Sequence, residues 1–178
     1  MNTSTAAWFE RAPFCTDHLG DLDLLHLSQE FYRGSRTPGF PLLEILVPEL
    51  PPSIRGCLAV ACSGMERRCR ELFPDTDMFF THGVLCRRPG SVRQDTHRDG
   101  GICTLLLPLS GPVAPTLLWP SVGEWCCTTR APLPPRARAS LWDTGTVQFI
   151  GARRYHAGPG NDSPVPQFIL YTHAQHTP

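Results

Sequence analysis

Leu24, Leu27 and Phe31 fall at i, i+3 and i+7 within residues 21–32, the spacing of a short amphipathic helix. Residues 33–52 interrupt that period with Gly and Pro around an apolar patch at 42–47. A longer stripe follows, in which Ile54, Leu58, Cys62, Met65, Cys69 and Leu72 step by four, four, three, four and three. Glu66, Arg67, Arg70 and Glu71 lie on the other side of it. This predicts one helix, capped by Ser53 and ended before Pro74, with Met65 and the cysteines as core. From Met78 onward the period changes. Short apolar or alternating runs at 78–86, 102–109, 116–119, 125–129, 137–142, 146–150 and 168–173 are separated by Pro and Gly. Each predicts a strand, and a further short strand carrying His97 makes roughly eight, the spacing of a sandwich or jelly roll. The expected class is therefore α+β, helices first, in a single domain spanning 1–178.

Composition adds three constraints. Hydrophobic residues at 41% and charged residues at 18% describe a globular chain with a real core. Acidic and basic residues cancel at 16 each, which gives no reason to expect a nucleic-acid partner. All 16 basic residues are arginine, so any bound carboxylate that needs a fixed cation must find an arginine. The eight cysteines form no Cys-x-x-Cys pair, and most lie in apolar runs, where the reduced thiol acts as a small hydrophobe. A reduced, cytoplasmic setting is expected. No apolar run approaches the length of a membrane span and no leader pattern opens the chain, so no membrane partner is expected either.

The candidate chemistry centres on His97-Arg98-Asp99, inside Gln94-Asp95-Thr96-His97-Arg98-Asp99-Gly100-Gly101. On a strand, residues two apart share a face, so His97 and Asp99 would present an imidazole and a carboxylate to one cation. A third imidazole, His156, follows 59 residues later, in Tyr155-His156-Ala157-Gly158-Pro159-Gly160-Asn161. Two histidines and one carboxylate that leave the other positions open are the ligand set of a non-haem Fe(II) oxygenase. A His-x-Asp triplet also arises readily by chance. The strand-dense surroundings and the later His-Ala-Gly-x-x-Asn-x-Ser are what give this one weight.

Taken together, Gln94-x-x-His97-x-Asp99-Gly100, Leu107-Pro108-Leu109-Ser110 and His156-Ala157-Gly158-x-x-Asn161-x-Ser163 resemble the phytanoyl-CoA dioxygenase-like branch of the Fe(II)/2-oxoglutarate oxygenases. The resemblance covers about residues 78–174. It implies a double-stranded β-helix over 78–174, with the mainly helical part, 1–77, packed against it. It also implies that His97, Asp99 and His156 hold iron, and that Gln94 lies near 2-oxoglutarate. One position departs from the pattern. Where the family places an arginine for the far carboxylate of 2-oxoglutarate, this chain has Gln167, which can donate a hydrogen bond but brings no charge. Arg153, Arg154, Arg138 and Arg88 are the candidates to supply that charge, with Arg154 favoured because it would share a strand face with His156.

Among the other residues, His82 reads as a satisfied core or edge histidine, and His173 and His176 as tail residues. Tyr171 would share a strand face with Gln167, Ile169 and His173 and could border the pocket. Asn161 and Ser163 are expected to hydrogen-bond the loop after His156. Cys126 and Cys127 lack zinc-ligand spacing. Asp99 keeps the carboxylate whose loss would open a halide position, so halogenation is not expected. The reading is an Fe(II)-dependent dioxygenase, coupled to 2-oxoglutarate, that oxidises a small organic substrate. The alternatives are a non-catalytic binding module of the same fold, or an iron oxidase independent of 2-oxoglutarate.

Overall fold

The long helix α2 (Pro52–Leu72) opens on Pro52, with Pro51 before it and no side-chain cap. Proline suits the first helical position because the N–H it lacks would be unpaired there anyway. Ser53, expected as the cap, therefore lies one residue inside the helix. The structure is a computed structural model that describes residues 7–11, 19–34, 42–110, 113–119, 138–142 and 146–178. Ile54, Leu58, Cys62, Met65 and Cys69 are buried as their spacing required, joined by Ala61 and Gly64. The shorter helix α1 (Leu24–Gly34) follows Asp23, whose carboxylate accepts a hydrogen bond from the His26 N–H at 2.9 Å. That is an N-cap. Leu27 and Phe31 on this helix are buried, whereas Leu25 faces solvent.

Two antiparallel sheets follow. The larger has the order β1-β7-β4-β9-β3-β2, from β1 (Ala7–Arg11), β7 (Thr146–Gly151), β4 (Cys103–Pro108), β9 (Gln167–His176), β3 (Met78–Arg87) and β2 (Leu42–Leu46). The smaller has the order β6-β5-β8, from β6 (Arg138–Trp142), β5 (Val113–Leu118) and β8 (His156–Ala157). An isolated bridge from His97 to His156 extends the smaller sheet by one segment. The arrangement is jelly-roll-like.

Alternation along the strands gives the larger sheet two chemically different faces. Val84 and Cys86 on β3, Cys103, Leu105 and Leu107 on β4, Val147 and Phe149 on β7, and Phe168 and Leu170 on β9 join the buried stripes of α1 and α2 in one core. Fully burying each leucine or isoleucine there is worth about 1.5–3 kcal/mol, far more than helix propensity supplies. The opposite face carries Leu85, Leu106 and Ile169 as a small apolar patch among polar side chains. Helices on one face thus leave the other free to line a cavity.

Helices make up most of the described part of 1–77, but the same segment also supplies β1 and β2, the two edges of the larger sheet. Ala7-Trp8-Phe9-Glu10-Arg11 and Leu42-Leu43-Glu44-Ile45-Leu46 are five-residue runs that, among the described residues, pair with strands far along the chain. A short apolar run carries no periodicity that tells strand from helix. β8, at two residues, is too short to read at all. The strand expected at 125–129 lies outside the described residues. Among the described residues no helix is long and apolar enough to cross a membrane.

Candidate metal centre

The segment before the His-x-Asp triplet runs antiparallel to the loop that carries His156. Ser91 bridges Asn161, the Gln94 N–H donates to the Gly158 carbonyl at 3.1 Å, and His97 and His156 exchange backbone hydrogen bonds at 2.9 Å each. Residues paired in this way project side chains to the same side of the ribbon. The two imidazole rings are accordingly 4.3 Å apart between centroids, inclined at 55°. Asp99 comes up between them, with Oδ1 3.6 Å from His97 Nε2 and Oδ2 3.7 Å from His156 Nε2. These separations are too long for hydrogen bonds. One ligand atom from each of the three residues lies within 4.8 Å of the others, the spacing of groups that share a cation.

Both imidazoles are held from behind. His97 Nδ1 lies 2.8 Å from the Asp95 carbonyl, and His156 Nδ1 lies 3.2 Å from the Arg154 carbonyl. A carbonyl can only accept, so each Nδ1 carries the proton and each Nε2 lone pair faces Asp99, the tautomer a metal requires. Burial lowers the His156 pKa below its ordinary value of 6.5; Asp99 pushes it up, His97 pushes it down and the Arg154 carbonyl pushes it up again. The net direction keeps this imidazole neutral near pH 7 and its lone pair available.

Asp99 owes its position to the far end of β9. His173 Nε2 donates to the Gly100 carbonyl at 2.6 Å, and the Ile102 N–H donates to the Ala174 carbonyl at 2.8 Å. Gly101 between them has φ +78°, and a Cβ there would stand 2.6 Å from the Ala174 carbonyl oxygen. Only glycine fits that backbone without strain. Reading His173 as a tail residue is thus corrected: it lines the cavity and pins the turn that aims Asp99. Its role depends on a partner 73 residues away, which no local pattern reveals. His82, by contrast, is the satisfied histidine expected, 2.7 Å from Glu66 and 2.9 Å from Thr172 through its two ring nitrogens.

The loop after His156 is organised by Asn161 and Ser163, as expected. Asn161 Nδ2 donates to the carbonyls of Arg87 at 2.9 Å and Val165 at 2.8 Å, while its Oδ1 accepts from the Ser163 N–H at 3.0 Å. Gly158 sits where a Cβ would collide with the Gln94 amide oxygen and with Nη2 of Arg87. Those two side chains therefore close over the loop.

The three ligand-type residues open into a cavity of about 230 Å³. Its polar end is lined by Gln94, Arg87, Gly158 and Pro159, its apolar wall by Leu85, Leu106 and Ile169, and its remaining wall by Glu44, Thr104, Tyr171 and His173. The Tyr171 hydroxyl donates to Glu44, and burial, then that carboxylate, push the phenol pKa up. Gly83, paired with Tyr171 across the ladder, leaves the space the tyrosine ring occupies.

The residues expected to meet a cosubstrate divide. Gln94 lines the cavity. Gln167 is buried at the start of β9 but is not among the lining residues. Arg154, expected to reach in with its guanidinium, is not among them either, and instead orients His156 through its backbone carbonyl. Arg153 is exposed, Arg88 lies over the Tyr32 ring at 5.3 Å, and the Arg138 side chain is outside the described residues. Sequence reasoning missed Arg87. It is 2% exposed and shares the cavity-facing side of β3 with Leu85, a position alternation could have shown once the strand's inner face was known.

No protein-family model matches the sequence, and no curated protein does so either. The fold, however, is shared with solved structures. The non-haem α-ketoglutarate-dependent epimerase SnoN of nogalamycin biosynthesis superposes with a TM-score of 0.68 at 13% identity, over 98% of this chain and 80% of its own. The carbocyclase SnoK of the same biosynthesis gives 0.67 at 11% identity, over 97% and 80%. HygX from Streptomyces hygroscopicus, solved with nickel, 2-oxoglutarate and hygromycin B, gives 0.62 at 12% identity, over 98% and 84%. At such identities the likeness establishes the fold.

Proposed function

We propose that this protein is a non-haem Fe(II) oxygenase of the 2-oxoglutarate type, with His97, Asp99 and His156 as the iron ligands. The observation that carries this reading is the ligand trio, with both imidazoles fixed through Nδ1 and their Nε2 atoms turned toward Asp99. Two histidines and one carboxylate suit Fe(II) and leave the remaining positions to oxygen and a bidentate cosubstrate. The structural neighbours support it. SnoN was solved with Fe3+ and α-ketoglutarate, and HygX with nickel and 2-oxoglutarate.

The strand order supports a double-stranded β-helix. From β3 onward, successive segments (β3, the His97 bridge, β4, β5, β6, β7, β8, β9) are shared between the two sheets, and the bridge pairs with β8 in the smaller one. Within the superfamily, the motifs around His97 and His156 favour the phytanoyl-CoA dioxygenase-like branch. Residues 1–178 are read as one domain.

Iron held this way supplies dioxygen activation at the expense of a 2-oxo acid, and so oxidation of a C–H bond. The protein's own residues prepare that chemistry. Burial keeps His156 neutral, the Gln94 amide reaches the polar end of the cavity, and Gln167 supports cosubstrate binding from behind that lining, across the ladder from Arg87. Leu85, Leu106 and Ile169 keep water from one wall. At about 230 Å³ the cavity holds a small cosubstrate, so a larger organic substrate would extend out of it past Glu44 and Tyr171.

The test is anaerobic titration of the Fe(II)-loaded protein with 2-oxoglutarate, following the weak visible charge-transfer band of the chelate. The expected result is a band that is lost in Asp99→Ala. Iron binding without a band would turn the reading to an oxidase that works without 2-oxoglutarate. Absence of iron binding would turn it to a binding module.

A further inference from the structure

Arg87 poses a problem that the metal centre does not solve. It is 2% exposed, and no carboxylate pairs with it among the described residues. One of its amino groups, Nη1, donates to the Pro159 carbonyl, and Nη2 lies against Gly158. Nε has no hydrogen-bond partner among the described residues. Burial, and secondly Arg93, bring its pKa down to about 10, which leaves it protonated near pH 7. A buried, hydrogen-bonded but uncompensated guanidinium is an unfavourable arrangement unless an anion completes it.

The surroundings say where that anion would sit. Arg87 lines the same cavity as His97, Asp99 and His156, at the end that also presents Gln94 and Gly158. Its backbone is fixed by β3–β9 pairing and by Asn161 Nδ2 on its carbonyl at 2.9 Å, so the side chain starts from a rigid base. Directly across the ladder, its partner is Gln167. A second guanidinium at that position would face the first across neighbouring strands, where like charges oppose each other. A neutral amide there is the residue compatible with a cation at Arg87.

We propose that Arg87 is the anion anchor of the cavity and takes the far carboxylate of the dicarboxylate cosubstrate, so that the charge absent at Gln167 is supplied one strand over. This rests on the 2-oxoglutarate reading above and makes the cavity selective for a dianion over a 2-oxo acid with an uncharged tail. A planar guanidinium with a free edge matches a carboxylate in two parallel hydrogen bonds, and lysine would not reproduce that geometry.

The experiment measures binding rather than turnover. The Ni(II)-loaded protein is titrated calorimetrically with 2-oxoglutarate and with 2-oxovalerate, which keeps the chelating head and has a methyl group in place of the far carboxylate. The wild type should prefer 2-oxoglutarate by about 30-fold, equivalent to about 2 kcal/mol. Arg87→Gln should bind both acids alike, at the level of 2-oxovalerate, with unchanged nickel stoichiometry. Arg87→Gln combined with Gln167→Arg should recover much of the preference, which guards against loss through misfolding. If Arg87→Gln keeps the preference, the anchor lies elsewhere and the proposal is overturned while the cosubstrate reading stands. If both acids bind the wild type equally, the proposal is likewise overturned. If neither binds although nickel does, the 2-oxoglutarate reading itself fails and takes the anchor with it.

Discussion

His97 and His156 are direct partners in an antiparallel pair, each donating its backbone N–H to the other's carbonyl at 2.9 Å, although 59 residues separate them. The pairing makes the distance between the two imidazoles a property of backbone hydrogen bonding rather than of flexible side chains. Any metal chemistry here is built on a rigid ribbon, with only Asp99 supplied from the turn beyond it.

Removing either imidazole should therefore remove the metal and leave the ribbon. His97→Ala and His156→Ala are expected to abolish stoichiometric Fe(II) binding, measured by metal analysis after anaerobic loading. Circular dichroism should remain that of the wild type. His156→Ala should also lower stability by about 1–3 kcal/mol because it empties a buried site, whereas half-exposed His97→Ala should cost less. Full iron stoichiometry in both variants would mean that the ligands have been misassigned.

His173 offers a test of how Asp99 is aimed. His173→Ala deletes the hydrogen bond to the Gly100 carbonyl without touching a ligand. Metal affinity should drop by about 10- to 100-fold, the usual cost of losing a residue that orients a ligand. Gly101→Ala should act in the same direction and more severely, because φ +78° and the Ala174 carbonyl both oppose a Cβ. Competition against a chelator of known affinity measures both, and unchanged affinity in the two variants would separate the turn from the metal site.

Gly158→Ala should give the converse phenotype. A methyl group there must displace the Gln94 amide and the Arg87 guanidinium, but neither of them is a ligand. Iron stoichiometry should be preserved while 2-oxoglutarate affinity falls at least about tenfold, a difference of about 1.4 kcal/mol. Loss of iron together with cosubstrate would mean that the loop positions His156 as well.

The depressed pKa of His156 sets a pH dependence for the metal-free protein. Its folded pKa lies below the ordinary 6.5, so below that pH the unfolded chain takes up a proton that the folded chain resists. More protons bound in the unfolded state means that stability rises with pH. Thermal stability should be level with respect to this group above about pH 6.5 and should fall as pH drops from there toward the folded-state pKa. His156→Gln should flatten that part of the profile, and equal slopes in melting scans of the two proteins would contradict the assignment.

The local elements were legible in the chain because they depend on period. The 54–72 stripe became the buried face of α2, and the switch to short runs after Met78 marked β3, β4, β5, β6, β7 and β9 to within a few residues. The triplet His97-x-Asp99 and the distant His156 could be nominated by residue type alone, and the fold brings all three together. What residue type could not give was the partner of each group. That His173 holds Gly100, that Tyr171 meets Glu44, and that Arg87 stands across the ladder from Gln167 all follow from strand register between segments about 70 to 130 residues apart. Register over such distances is fixed by which face of each strand the core buries, and that is decided only when the sheets form. The sequence by itself therefore determined which residues could bind a metal and which helices would cover a sheet. The tertiary structure decided which arginine faces the cavity, because Arg87, the last residue of β3, lies on the cavity-facing side while Arg88, just past the strand's end, lies beside Tyr32.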